Sequence, residues 1–350
     1  MFVVGKRYGS RMTTALLAID VGGSTSRATL VDRAGNCLGQ GRNRGGNPGS
    51  NPPELAAAAI IAAVEAAVAD AALPGLDIEA ALIAMAGPRV HVAQAKLEEA
   101  FTRLGLSGPL IFTGDLHAML ASVTASTSGY CVVCGTGAGA ARLRDGEIDR
   151  VIDAAGYLLG DAGSGYWLGH EAVRAVTADL EGRGEKTALT PAVLDHLGIE
   201  MSTARGADSR PVPLRFLIDS IYAMRPIELA RFAPLVIAHR ADPVAAALLA
   251  AAEGYLLKDF SMVFDPAMPA PVGLGGGIIP HLTGLPDAIA RLVREAGHTP
   301  DVRLVTDGSV GAVVLVLRAA GIAVDEAMVA RIGAALAARS AQAAVAPTGI

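Results

Sequence analysis

Asp20 closes an apolar run, Leu16-Leu17-Ala18-Ile19, and the segment after it, Val21-Gly22-Gly23-Ser24-Thr25-Ser26-Arg27-Ala28, leads into a second one, Thr29-Leu30-Val31. A turn of this composition brings backbone N–H groups and Ser and Thr hydroxyls onto phosphate oxygens with no bulky Cβ in the way. A carboxylate ending a buried strand beside it is placed to hold the Mg²⁺ that bridges the phosphates of ATP. From this segment alone, a hairpin whose glycines serve only the turn reads about as well, because Gly-rich turns are common. Two other nucleotide motifs are excluded. A P-loop needs a Lys after its glycines, and a dinucleotide fingerprint runs from strand into helix, whereas here a second strand follows.

The pattern then restarts. Tyr130-Cys131-Val132-Val133-Cys134 is an apolar strand leading into Gly135-Thr136-Gly137-Ala138-Gly139-Ala140, then the turn Asp145-Gly146 and a strand near Ile148 to Ile152. A repeated strand, Gly/Thr turn and strand is what a duplicated nucleotide-clamping fold would show, each half giving one phosphate loop. Two unrelated turns fit less well, because both directly follow an apolar strand.

The elements that must hold these turns alternate. A hairpin covers Ala15 to Val31 with Cys37 to Gly41, and a Gly/Asn/Pro loop, Arg42 to Pro53, precedes a helix from Pro53 to about Ala72. Strands at Ala80 to Met85 and Pro109 to Thr113 alternate with helices over Val92 to Leu104 and Leu116 to Val123, which gives a mixed or parallel sheet with helices on its faces. Helical pattern dominates from Gly165 to about Phe264, with polar interruptions at Glu181 to Lys186 and Ser202 to Arg210.

At 350 residues the chain suffices for two domains. The alanine-rich stretches are broken by charge, Gly or Pro, and none supplies the roughly 20-residue uncharged span of a membrane helix. A net charge of −5 without a basic run argues against nucleic-acid binding. Three cysteines argue against a disulfide framework and for a reducing cytoplasm. Cys131 and Cys134 form C-x-x-C on a strand, where positions three apart face opposite ways, so buried thiols are expected over a metal or redox pair. His117, His170 and His281 are expected at the surface or behind the site, and Trp167 in a helix core. Met1 to Arg11 precede a second Met, Met12, and are too short for a signal peptide; a disordered extension or misassigned start is expected.

Five stretches line up in order: Asp20 to Arg27, Gly114-Asp115, Gly135-Thr136-Gly137-Ala138, Gly156 to Gly169, and Gly273-Leu274-Gly275-Gly276-Gly277-Ile278. In this order they resemble the BadF/BadG/BcrA/BcrD-type branch of the actin and sugar-kinase superfamily, and within it the N-acetylglucosamine and glucosamine kinases. The diagnostic piece is Gly160-Asp161-Ala162-Gly163-Ser164-Gly165-Tyr166-Trp167, similar to G-D-E-G-S-[AG]-Y-W. The resemblance covers about residues 14 to 325.

It implies an α/β, two-lobed actin-like ATPase of duplicated ribonuclease H-like fold with the active site in the interlobe cleft. The implied layout is an extension (1–11), an N-terminal lobe (12–124), a C-terminal lobe (125–325), and a C-terminal helix and tail (326–350) packing back on the first lobe. Gly22, Gly23, Ser24 and Thr25 match the first phosphate loop, and Asp20 the acidic residue that contacts Mg²⁺ or its waters. Gly135, Thr136 and Gly137 match the second phosphate loop, where Ala138 departs from the usual Ser. Gly275, Gly276 and Gly277 match the adenosine motif. Asn47 matches the Asn of the sugar-facing loop, and Gly156, Tyr157 and Asp161 are expected at the sugar; the family often has Trp where Tyr157 stands. Asp115 matches the catalytic base, although an Asp ahead of Leu116-His117-Ala118-Met119 would also serve as a helix N-cap.

The implied activity is transfer of a phosphoryl group from MgATP to the 6-hydroxyl of N-acetylglucosamine or glucosamine, by a cytoplasmic enzyme, with a homodimer as the family's habit. A kinase for another hexose derivative such as N-acetylmuramic acid is the alternative. An ATP-driven activator of radical dehydratases is less favoured, because it would need exposed cysteines for an iron-sulfur cluster. A sugar-responsive repressor would need a DNA-binding segment ahead of Asp20.

Overall fold

A computed structural model describes residues 12–48, 51–85, 87 and 93–345; the expectation for Met1 to Arg11 falls outside them. The chain divides into two compact units, residues 1–127 with 305–350, and residues 128–304.

In the first unit the strands are β1 (Thr13–Val21), β2 (Thr25–Val31), β3 (Cys37–Arg44), β4 (Leu76–Met85) and β5 (Leu110–Gly114), in the order β3-β2-β1-β4-β5. β2 and β3 form antiparallel ladders, while β1, β4 and β5 run parallel. Leu16, Leu17, Ala18 and Ile19 of central β1 are all essentially inaccessible, as expected of a strand with both faces covered. Helices α1 (Pro53–Ala71) and α2 (Gln94–Arg103) border one core with Leu17, Ile19, Ile60 and Phe101. α3 (Asp115–Ala121) lies on the opposite face, in a core with Leu16, Ala18 and Leu82.

The second unit repeats that plan. Its strands are β6 (Gly129–Cys134), β7 (Ala138–Arg144), β8 (Glu147–Asp153), β9 (Val272–Gly275) and β10 (Val302–Val305), in the order β8-β7-β6-β9-β10. β6, β7 and β8 pair antiparallel and β9 joins β6 in parallel. Its helices are α4 (Gly165–Glu181), α5 (Leu189–His196), α6 (Val212–Tyr222), α7 (Ala233–Ala238), α8 (Pro243–Val263) and α9 (Leu285–Glu295). Ser164 caps α4 by accepting from the Trp167 N–H, so the polar residue before Gly165 sets where the long helical region starts. Trp167 packs edge-on against Tyr255 at the border of this core.

Two further helices, α10 (Gly308–Ala319) and α11 (Glu326–Val345), return to the first unit. Val313 and Val316 of α10 and Ile332 and Leu336 of α11 join the core around Leu16 and Ala18. The return therefore starts near residue 305, twenty residues before the boundary expected at 325/326. The reason is α10, an almost wholly apolar helix that finds its cover on β1 and α3. No single described helix is long and apolar enough to cross a membrane.

Candidate active site

In the first unit β1 and β2 meet at a turn closed by the Gly22 N–H donating to the Thr25 carbonyl at 2.8 Å. Asp20 stands opposite Arg27 in the ladder, and Arg27 Nη1 donates to its Oδ2 at 3.3 Å. From the other side Gly308, the first residue of α10, comes so near that a Cβ there would lie 2.8 Å from Asp20 Oδ2. Burial pushes the Asp20 carboxyl up to about 6; Arg27 opposes this, and the negative charges of Asp307 and Asp115 add to it. Asp307 caps α10 by accepting from the Ser309 N–H at 2.9 Å.

Two carboxylates, Asp307 and Asp115, thus act on Asp20 in a half-buried place, an arrangement that a hard divalent cation would relieve. No cluster of three or more metal-ligating side chains encloses a site among the described residues. Mg²⁺ in nucleotide sites takes one or two carboxylates and completes its shell with water and phosphate oxygens. Asp307 and Gly308 were missed in the sequence. The available signal was Asp-Gly-Ser before an apolar helix, the same strand-then-acid pattern as Asp20 and Asp115.

Asp115 is the first residue of α3 and Gly114 occupies the N-cap, so Asp115 does not serve as that cap. Its Oδ1 accepts from the Leu116 N–H at 3.0 Å. Burial pushes its pKa up, opposed by the Leu116 N–H, its own N–H and His117. The Nδ1 of His117 is itself buried without a hydrogen-bond partner, deeper than a surface histidine.

Asn47 is buried, in the segment that follows β3. This segment lies directly on the Gly22 to Thr25 turn. A Cβ on Gly45 would fall 1.9 Å from the Gly23 carbonyl oxygen, and Asn51 Nδ2 donates both to Gly23 O at 3.3 Å and to Asn47 O at 3.2 Å. Asp20, the Gly22 to Thr25 turn, Asn47 and Asp115 therefore all belong to one unit.

The second unit builds its turn differently. The Gly135 N–H donates to Gly137 O at 2.9 Å, and the Gly135 and Thr136 carbonyls accept from the Gly165 and Tyr166 N–H groups at the start of α4. Asp161 is only 6% exposed, and its Oδ1 accepts from the Ala138 N–H at 3.2 Å. This bond holds the turn where the usual Ser is missing. Asp161 is in turn held by Asp153, whose carboxylate accepts from the Asp161 and Ala162 N–H groups at 2.6 and 2.9 Å. Burial raises the Asp161 pKa, with the Ala138 N–H opposing and Asp153 reinforcing. Gly156 adopts φ of +80°, and the Tyr157 ring lies 5.1 Å from that of Tyr166, which stacks on His170.

Gly275 ends β9, and Gly276, at φ +107°, passes so close to β6 that a Cβ would meet the Cys134 carbonyl oxygen at 2.2 Å. Ile278 N–H donates to that same oxygen at 3.0 Å, so the predicted adenosine segment abuts the predicted second phosphate turn. Cys131 and Cys134 are fully buried and form no disulfide, and burial pushes the Cys134 thiol up to about 12. Asp153 and Asp259, a buried carboxyl on α8 that interacts with it, carried no sequence signal.

Duplicated sheets with a Gly-rich turn after the first strand of each define a two-lobed ATPase of the actin-like class. The chain belongs to the BadF/BadG/BcrA/BcrD ATPase family, whose profile matches residues 17–255. It is 33% identical over 105 residues to an N-acetylmuramic acid/N-acetylglucosamine kinase of Clostridium acetobutylicum, a match spanning 30% of this chain and 34% of that relative. A provisionally assigned N-acetylglucosamine kinase of Chromobacterium violaceum is structurally similar, with a TM-score of 0.66 and 26% identity over 87% of this chain and 98% of the other. A second protein so assigned, from Porphyromonas gingivalis, shares the fold at a TM-score of 0.64 and 20% identity, over 88% of this chain and 100% of its own.

Proposed function

We propose that the protein is a sugar kinase that transfers the γ-phosphoryl group of ATP to the 6-hydroxyl of an amino sugar, N-acetylglucosamine or glucosamine. The observation that carries this reading is the pairing, within one unit, of a half-buried carboxylate of raised pKa, Asp115, with the Asp20 carboxylate beside the Gly22 to Thr25 turn. A sugar hydroxyl is a poor nucleophile. Asp115 accepts its proton and fixes its line of attack, which contributes about 10² to 10⁴-fold. Asn47 holds the sugar in the same unit; in the second unit Gly156 and Tyr157 are sugar-contact candidates beside Asp161, whose Oδ1 is taken up by the Ala138 N–H.

Gly22 to Thr25 and Gly135 to Gly137 cradle the phosphates, and Gly275 to Gly277 lie along the adenosine. Asp20 holds Mg²⁺ or its waters. When bound, the ion neutralises charge developing on the phosphate oxygens. The relative from Clostridium acetobutylicum supports the N-acetylated sugars over free glucosamine and keeps N-acetylmuramic acid as the second substrate to examine.

A coupled assay of ADP release over N-acetylglucosamine, glucosamine, N-acetylmuramic acid, glucose and no sugar tests the reading. ADP release should require an amino sugar. Equal release with and without sugar would make the protein an ATPase and sink the kinase reading.

A further inference from the structure

β2 and β3 carry a row of arginines on the face that holds Asp20. Arg27 is registered opposite Arg42, and Thr25 opposite Arg44. Residues two apart on a strand share a face. Arg27, Arg42 and Arg44 therefore lie on one face, together with Asp20, which is registered opposite Arg27 on β1. Arg27 is taken up by Asp20 at 3.3 Å. Arg42 and Arg44 are exposed and form no side-chain hydrogen bond or ion pair with a described residue.

Like charges directly opposite on neighbouring strands, about 4.8 Å apart, repel. Arg27 and Arg42 are such a pair, and only Arg27 has a carboxylate to offset it. In a chain of net charge −5 this row is a local concentration of positive charge. Its position tells what it faces. Arg44 stands opposite Thr25, the residue that closes the first Gly-rich turn, and Arg27 reaches the carboxylate on the other side of that turn.

We infer that Arg42 and Arg44, extending from Arg27, form a guanidinium strip that binds phosphate oxyanions. The inference rests on Gly22 to Thr25 being a phosphate turn, and adds side-chain charge to what that turn offers by its backbone. A guanidinium is permanently charged, and its planar fork matches two oxygens of one phosphate. The same chemistry has two sources in a sugar kinase, the phosphates of the nucleotide and the phosphoryl group carried away on the sugar.

The test uses the full chain and the variants Arg42→Gln, Arg44→Gln and the double substitution, with thermal melting to confirm that these exposed changes leave the fold intact. Binding of ADP, pyrophosphate, adenosine and N-acetylglucosamine 6-phosphate is measured by calorimetry at low and high salt. The double variant should bind pyrophosphate and ADP at least about tenfold more weakly, as expected for losing charge-assisted hydrogen bonds. Adenosine binding should be unchanged, and the difference should shrink as salt screens the exposed charges. Weakening confined to the sugar phosphate would support the strip and assign it to the product. Equal affinity of wild type and double variant for every phosphorylated ligand would overturn it. Failure of the wild-type protein to bind ADP at all would instead count against the nucleotide reading, and pyrophosphate and sugar phosphate would still decide the strip.

Discussion

The two units share one sheet plan and use charge in opposite ways. The next-to-last residue of the first strand is Asp20 in one unit and Val133 in the other, and their cross-strand partners are Arg27 and Gly139. The first unit puts opposite charges beside its turn and adds Asp115 and Asp307 from the starts of two helices. The second has no charge at these two positions and brings a carboxylate, Asp161, out of the segment after β8, with positive φ at Asp153, Ala154, Gly156 and Asp161. That carboxylate turns inward onto the Ala138 N–H. The same topology thus carries an acid–base pair at the turn in one copy and a carboxylate bracing a backbone turn in the other, because a topology fixes where the strands end and leaves the end residues free.

The comparison breaks most visibly at the two aspartates. Asp115→Asn keeps shape and loses the proton acceptor, so kcat should fall by about 10² to 10⁴ with little change in substrate binding. Asp161→Asn should weaken nucleotide binding more than it lowers kcat. Steady-state kinetics on both variants would reverse the assignment if the larger kcat loss came from Asp161. Asp20→Ala should next raise the Mg²⁺ concentration needed for half-maximal rate. An unchanged Mg²⁺ titration would remove Asp20 from the metal's side of the site.

A buried carboxyl in the second unit gives a pH test. Asp259 is pushed up to about 6 by burial and by Asp153, from an ordinary 3.8. The folded state therefore binds this proton more tightly than the unfolded chain. Stability from this group is lost as pH rises from about 4 through 6, and the cost is fully present above 6. Asp259→Asn removes the charge, so it should melt above wild type at pH 7, and the gain should vanish near pH 4. A gain that persists at pH 4 would point to packing instead.

The glycines sharpen the comparison further. Gly45→Ala drives a Cβ to 1.9 Å from a backbone oxygen and should cost about 1–3 kcal/mol of stability, as overpacking does. Gly135→Ala meets nothing within 4 Å and should melt close to wild type. Denaturant melts that rank the two the other way would show that the first turn yields where its geometry says it cannot.

Much of this was legible in the chain. The apolar runs before Gly22 and Gly135 are β1 and β6, and the helix expected from Pro53 to about Ala72 is α1, within a residue at its end. Buried strands and alanine-rich helices carry strong periodicity, which is why these survived. The positions of Asp307 and Asp259 did not show. One looks like an ordinary helix cap, and the other is one of two acids in a largely apolar helix, and its neighbour, Asp153, comes from a strand more than a hundred positions earlier.

By itself the sequence determined the two strand, turn and strand repeats, the alternation that makes two mixed sheets, and the residue types at each strand end, because these depend on local pattern. Only the tertiary structure decided which charges meet. Asp20 lies against Gly308 because an apolar helix nearly three hundred residues later covers β1. Asp161 reaches Ala138 because Asp153 pins the loop between them. Local pattern sets an element's type and faces, whereas the partners of a buried charge are chosen by whatever the packing brings beside it.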